Sequence, residues 1–144
     1  MSVNDFIGSW SLIACEARSS DGEVRTPYGE NPYGMLMYGG DGRLSVLIAK
    51  RDRPRFESND LMRGTPDELK AAFEGFTGYC GTYEVDTEKG TVTHKLEGSW
   101  FPNWENTDQV RNYRFFDNRL ELTTEPRPGR RASWTLALVW ERLA

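Results

Sequence analysis

Turn signals recur about every ten residues along this chain, and the alternating runs between them have the length and patterning of strands. Asp21-Gly22, Gly39-Gly40-Asp41-Gly42, Lys89-Gly90, Asp117-Asn118 and Pro126-Arg127-Pro128-Gly129 each supply a residue that tolerates positive φ or fixes φ, as a tight reversal requires. Strands are therefore predicted near Trp10–Ala17, Glu23–Thr26, Gly34–Tyr38, Arg43–Ala49, Thr77–Asp86, Thr91–Trp100, Gln109–Phe116, Arg119–Glu125 and Ala132–Arg142. One helix interrupts them. Thr65 can cap it, Pro66 suits its first turn, Asp67 and Glu68 complement the positive end of its dipole, and Gly75 ends it.

Successive residues of a strand point to opposite faces, so parity shows which side chains line an interior. Val92, His94, Leu96 and Trp100 share one face of their strand, against Thr91, Thr93, Lys95, Glu97 and Ser99 on the other, which turns His94 inward. Trp134, Leu136, Leu138 and Trp140 form the core face of the last strand. Tyr79, Tyr83 and Val85 line up in the strand before His94. In Gln109–Phe116, Arg111, Tyr113 and Phe115 compete with a face of Val110, Asn112, Arg114 and Phe116 that is hardly less apolar, and parity alone does not orient that strand. So many antiparallel strands in one small domain either stack as a sandwich or curl into a barrel that removes its edges. Sequential hairpins without a long crossover favour an up-and-down barrel of about eight to ten strands, with room for one small ligand.

A chain of 144 residues fits a single domain, 1–144, with one core. With 18 Lys+Arg against 22 Asp+Glu, the net charge of -4 lacks the basic excess that attracts a phosphate backbone, so nucleic acid is not an expected partner. No apolar run approaches the roughly 20 residues of a membrane span, and the first residues lack the pattern of an export signal, so a cytoplasmic protein without a membrane partner is expected. Cys15 and Cys80 stand alone inside strands and are expected to be reduced packing residues. A lone histidine excludes multi-histidine zinc sites. There is no nucleophile elbow, phosphate loop, dinucleotide fingerprint or metal-ligand cluster, so neither cofactor nor metal is expected.

Several stretches then carry a family resemblance. Asn4-Asp5-Phe6-Ile7-Gly8-Ser9-Trp10 resembles the lipocalin opening, where a short turn leads into Gly-x-Trp and the indole plugs the closed end of a barrel. Trp140-Glu141-Arg142 resembles the returning strand whose arginine packs over that tryptophan. Further similarity to bacterial lipocalin-like domain proteins lies in Tyr28 to Gly34, Asp52 to Phe56, Gly81 to Val85, Val92-Thr93-His94, Phe101-Pro102-Asn103-Trp104 and Leu120 to Thr124. The resemblance implies a lipocalin-like all-β barrel and a cavity. It assigns no reaction or substrate.

His94 is the sharpest candidate for chemistry, since imidazole exchanges protons near neutrality, although a hydrogen-bonded core histidine reads equally well. Arg111, if inward, requires a carboxylate, a phenolate or a ligand anion, because an unpaired buried guanidinium costs several kcal/mol; if the strand is flipped, it is a solvated charge. Tyr79, Tyr83 and Tyr113 can pack or orient a ligand's polar end. Trp100, Phe101, Pro102 and Trp104 concentrate aromatics in a connection, as a lid at the open end or as cover for an edge. The basic stretch Lys50 to Arg55 reads at least as well as a solvated loop.

The expected function is binding of a small apolar or aromatic molecule by Tyr79, Tyr83, His94, Trp100, Trp104, Arg111 and Tyr113. The alternative is a cofactor-free isomerase, cyclase or dehydratase with His94 as general acid or base and Arg111 beside it. An interaction protein would fill its cavity with its own side chains, and a homodimer is left open.

Overall fold

The computed structural model describes residues 2–143. A short 3-10 turn, Val3–Asp5, leads into β1 (Gly8–Ser19), followed by β2 (Val24–Arg25), β3 (Tyr33–Tyr38), β4 (Arg43–Ala49) and helix α1 (Pro66–Glu74). Then come β5 (Phe76–Asp86), β6 (Thr91–Ser99), a second 3-10 turn at Pro102–Trp104, β7 (Asp108–Phe116), β8 (Arg119–Thr124), β9 (Arg127–Pro128) and β10 (Ser133–Arg142). The strands pair antiparallel in the order β2-β1-β3-β4-β5-β6-β7-β8-β10-β9, and β1 also pairs with β10. Eight strands thus close on themselves as an up-and-down lipocalin-like barrel, and the two-residue strands β2 and β9 extend one rim.

The seam that closes the barrel runs Trp10 opposite Arg142 through Ser19 opposite Trp134, with a bulge between Leu12 and Ala14. An extra residue in one strand shifts parity. Leu12 and Cys15 therefore both face inward, while Ile13 between them is exposed. A second irregularity falls between Cys80 and Gly81, where β5 meets β6. A Cβ at Gly81 would sit 1.9 Å from the Lys95 carbonyl oxygen, so only glycine admits this close crossing.

One end of the barrel is plugged. Phe6 and Trp10 are fully buried, and Phe6 makes edge-on contacts with Tyr38, Tyr113 and Phe115 at ring-centroid distances of 5.3, 4.9 and 5.0 Å. The Trp10 indole donates to the Phe6 carbonyl at 2.9 Å. The Arg142 guanidinium carbon lies 4.2 Å from the centre of the Trp10 ring, and the same group donates to the carbonyls of Ile7, at 2.8 Å, and Asp5. Gly8 has φ +133, and a Cβ there would approach Arg142 Nη1 to 2.8 Å, so backbone conformation and space both demand glycine.

Helix α1 begins with a capping box: Glu68 N–H donates to Thr65 Oγ1 at 3.2 Å, and Thr65 N–H donates back to Glu68 Oε1 at 2.9 Å. The Gly75 N–H closes the last turn on the Ala71 carbonyl, at 3.1 Å.

Four expectations need correction. Arg127–Pro128, read as part of a turn, forms β9 against Ser133 and Trp134. Trp134 lies outside the core, half-buried under the Arg25 guanidinium at 4.8 Å, because β10 at that point has run past its pairing with β8 and meets β9 instead. Cys80 is exposed on the outer face of β5 and is no part of the core, whereas Cys15 is buried. Trp100 falls just beyond the end of β6.

Candidate functional site

The end opposite the Trp10 plug holds a cavity of about 250 Å³. This is close to the lower end of ligand pockets, roughly 300 Å³, and suits a molecule built on a single substituted ring. Leu36, Val46, Ile48, Leu122, Leu136 and Leu138 form its apolar wall, drawn from four strands, β3, β4, β8 and β10, whose inward residues alternate with outward ones. Trp140 adds an indole, and Trp100, Phe101 and Trp104 of the β6–β7 connection complete the lining. The rings of Trp100 and Trp104 meet edge to face, with centroids 5.4 Å apart at 85°, and Phe73 of α1 approaches Trp100 at 6.1 Å. Aromatic side chains thus lie where a loop would ordinarily carry small polar groups.

Seven polar side chains also reach this cavity: Tyr28, Thr77, Tyr79, His94, Arg111, Thr124 and Arg127. Three are occupied within the protein. Tyr28 and Thr77 share a hydrogen bond between their hydroxyls, and Thr124 Oγ1 accepts from the Leu136 N–H at 2.9 Å.

His94 is almost completely buried, with its two ring nitrogens held by two phenols: Tyr38 OH at 2.7 Å from Nε2 and Tyr79 OH at 2.8 Å from Nδ1. Burial, then the charge of Arg111, pushes its pKa well below 6.5, so the ring is neutral at physiological pH. A neutral imidazole has one donor and one acceptor. The Tyr38 hydroxyl is fully buried with no hydrogen-bond partner other than Nε2 among the described residues, so its proton must go there or remain unsatisfied at a cost of about 1–3 kcal/mol. Nε2 is therefore the acceptor. Nδ1 carries the ring proton and donates it to the Tyr79 oxygen. The proton on Tyr79 OH is then left without a protein acceptor, at the wall of the cavity. Burial raises the pKa values of both phenols, Tyr38 the more strongly, while Arg111 opposes the rise in each.

Arg111 is buried on the inner face of β7, and Val110 beside it is exposed, which settles the orientation that parity left open. Its Nη1 donates to the Val110 carbonyl at 3.2 Å, and the guanidinium lies beside the Tyr79 hydroxyl. Arg127 of β9 stands at the rim, stacked on Trp104 at 5.2 Å. Its pKa is lowered by partial loss of solvent and then by the charge of Arg111, and raised by Tyr79, which places the three groups in one electrostatic neighbourhood. Among the described residues, no aspartate or glutamate lines the cavity or pairs with either guanidinium.

Of the residues singled out from sequence, His94, Tyr79, Trp100, Trp104 and Arg111 meet around this one cavity. Tyr83 and Tyr113 do not. Tyr83 donates to the Gly39 carbonyl at 2.7 Å, and Tyr113 packs on Phe6 in the plugged end. Both face inward but lie too deep along the barrel axis. Tyr28, Thr77, Thr124 and Arg127 line it as well and are not singled out by the sequence; Tyr28 and Arg127 lie outside the main alternating runs, where periodicity carries no signal.

The chain matches the lipocalin-like domain family over residues 7–143 and belongs to it. Among curated proteins it is similar to a 4'-hydroxy-3'-methoxypropiophenone carrier protein of Aspergillus oryzae, 32% identical over 87 residues, which is 56% of this chain and 78% of that protein. Both findings agree with a ligand-binding barrel. No helix among the described residues is long and apolar enough to cross a membrane.

Proposed function

We propose that the barrel binds and carries a small aromatic molecule of about one substituted ring, with the ring among Trp100, Trp104 and the leucine wall and its polar end toward Tyr79 and Arg111. The observation that carries this reading is a cavity of about 250 Å³ whose lining is mostly apolar and whose few free polar groups gather around His94 and the rim. The similarity to a carrier of an aryl ketone supports the same ligand class. Burial of about 200 Å² of apolar ligand surface contributes on the order of 5 kcal/mol before the entropy of association is charged against it, so affinity is modest.

Catalysis by proton transfer has less support. Both nitrogens of His94 are held by protein phenols, and among the described residues no second acid or base lines the cavity apart from Tyr79 and Tyr28.

Tryptophan fluorescence tests the binding reading directly, because Trp100, Trp104 and Trp140 line the cavity. Titration with 4'-hydroxy-3'-methoxypropiophenone and a panel of single-ring aromatics should quench the emission saturably and raise the melting temperature. If no member of the panel does either, the carrier reading fails.

A further inference from the structure

Two guanidinium groups face one small, mostly apolar cavity with no carboxylate among the described residues to compensate them. Ordinary folding does not explain that arrangement, since an inward arginine without a counter-charge costs several kcal/mol and a methionine would fill the same space. The nearby phenol adds a directional feature. With Tyr38 donating to Nε2 and Nδ1–H donating to Tyr79, the Tyr79 oxygen is already an acceptor, and its proton points to whatever occupies the cavity. Arg111, Arg127 and Tyr79 thus present donors only, grouped on one side of an aromatic-lined pocket.

Resting on the reading of the barrel as a binder of single-ring aromatics, we propose that its ligand is an aromatic acid, whose carboxylate is held by Arg111 and the Tyr79 hydroxyl and approached by Arg127 at the rim. A carboxylate has acceptor sites only, and its planar fork matches a guanidinium. A hydroxyl or amine that must donate meets, among the described residues of that wall, only hydroxyl oxygens that already hold a hydrogen bond, and no carboxylate. Tyr28 and Thr77 are engaged with each other, and Thr124 Oγ1 accepts a backbone N–H. The low dielectric of the pocket strengthens the charge pairing, and Arg127, exposed on its outer side, favours entry of an anion.

The full chain is titrated at one fixed ionic strength with 4-methoxybenzoate and with 4-methoxyacetophenone, which has nearly the same shape and one acceptor oxygen but no charge. The carboxylate should bind at least tenfold more tightly. Arg111→Gln should bring the ratio close to one, and Arg127→Gln should lower it several-fold. Tyr79→Phe should weaken both ligands, because its proton serves either oxygen. Circular dichroism and the melting transition show whether each variant folds. Should Arg111→Gln fail to fold, Arg127→Gln at the exposed rim decides, and an unchanged ratio there overturns the proposal. Equal or tighter binding of the ketone by the unmodified protein overturns it while leaving the aromatic-binding cavity standing. Binding of neither compound overturns both.

Discussion

The two ends of the barrel use the same kinds of residue to opposite effect. At the plugged end an arginine lies over a tryptophan, and the donors around them find acceptors: Arg142 on the carbonyls of Ile7 and Asp5, the Trp10 indole on Phe6, Tyr83 on Gly39. At the open end an arginine also lies over a tryptophan, Arg127 on Trp104, with Arg111 behind it, yet among the described residues neither guanidinium has an acid partner and the Tyr79 proton is uncommitted. Completed hydrogen bonding yields stability; incomplete hydrogen bonding around a cavity yields a place for a ligand. Aromatic content alone does not separate the two.

The difference can be broken from the plugged end first. Trp10→Ala removes the largest buried side chain there together with its cation–π partner and its bond to Phe6, and should cost about 3–5 kcal/mol of unfolding free energy in a denaturant titration. A cost below about 1 kcal/mol would mean that the plug is not what holds the barrel shut.

At the open end the sign should reverse. Arg111→Met replaces an uncompensated buried charge by an apolar chain of similar length, and should raise stability by roughly 1–3 kcal/mol while removing the preference for an anionic ligand. A destabilised variant would show that the guanidinium has a structural partner. Gain of stability with loss of binding is the pattern of a site kept for function.

The smallest effect sharpens the comparison through pH. His94 has a folded pKa well below 6.5, so on acidification the unfolded chain takes up its proton first. Its contribution is complete above about pH 6.5 and is lost progressively below it, with a slope of at most about 1.4 kcal/mol per pH unit. His94→Gln should remove that share of the slope between about pH 6.5 and 5. In the unmodified protein, nitrogen NMR should find the proton on Nδ1 and bare Nε2. Protonated Nε2 would reverse the direction of the chain of hydroxyls and leave the Tyr79 proton engaged.

How legible these features are in the sequence depends on the strand. In β6 the contrast of Val92, His94 and Leu96 with Thr93, Lys95 and Glu97 places His94 inside without ambiguity, and the fully buried ring agrees. In β7 the pattern is inverted at the point that matters, with charge inside at Arg111 and an apolar residue outside at Val110. Functional and strained sites are where local rules are expected to fail in this way. Parity also reports a face but not a depth: Tyr79 and Tyr83 share one face of β5, yet one lines the cavity and the other meets Gly39 beside the plug. Depth is fixed by register across the whole barrel, which no single strand encodes. The seam and plug were legible for the opposite reason, since Gly8, Trp10 and Arg142 stand in a local motif at each terminus.

That seam has a consequence for how the chain reaches its native state. Every other wall of the barrel is a local hairpin or a connection over a modest stretch of sequence, but β1 meets β10 only after nearly the entire chain has been placed. Pairing at such sequence separation gains its contact energy only after a large loss of chain entropy, which slows folding and puts closure late in the reaction. Until then both edges stand open to other chains, and the period of greatest exposure to aggregation ends when Arg142 settles over Trp10.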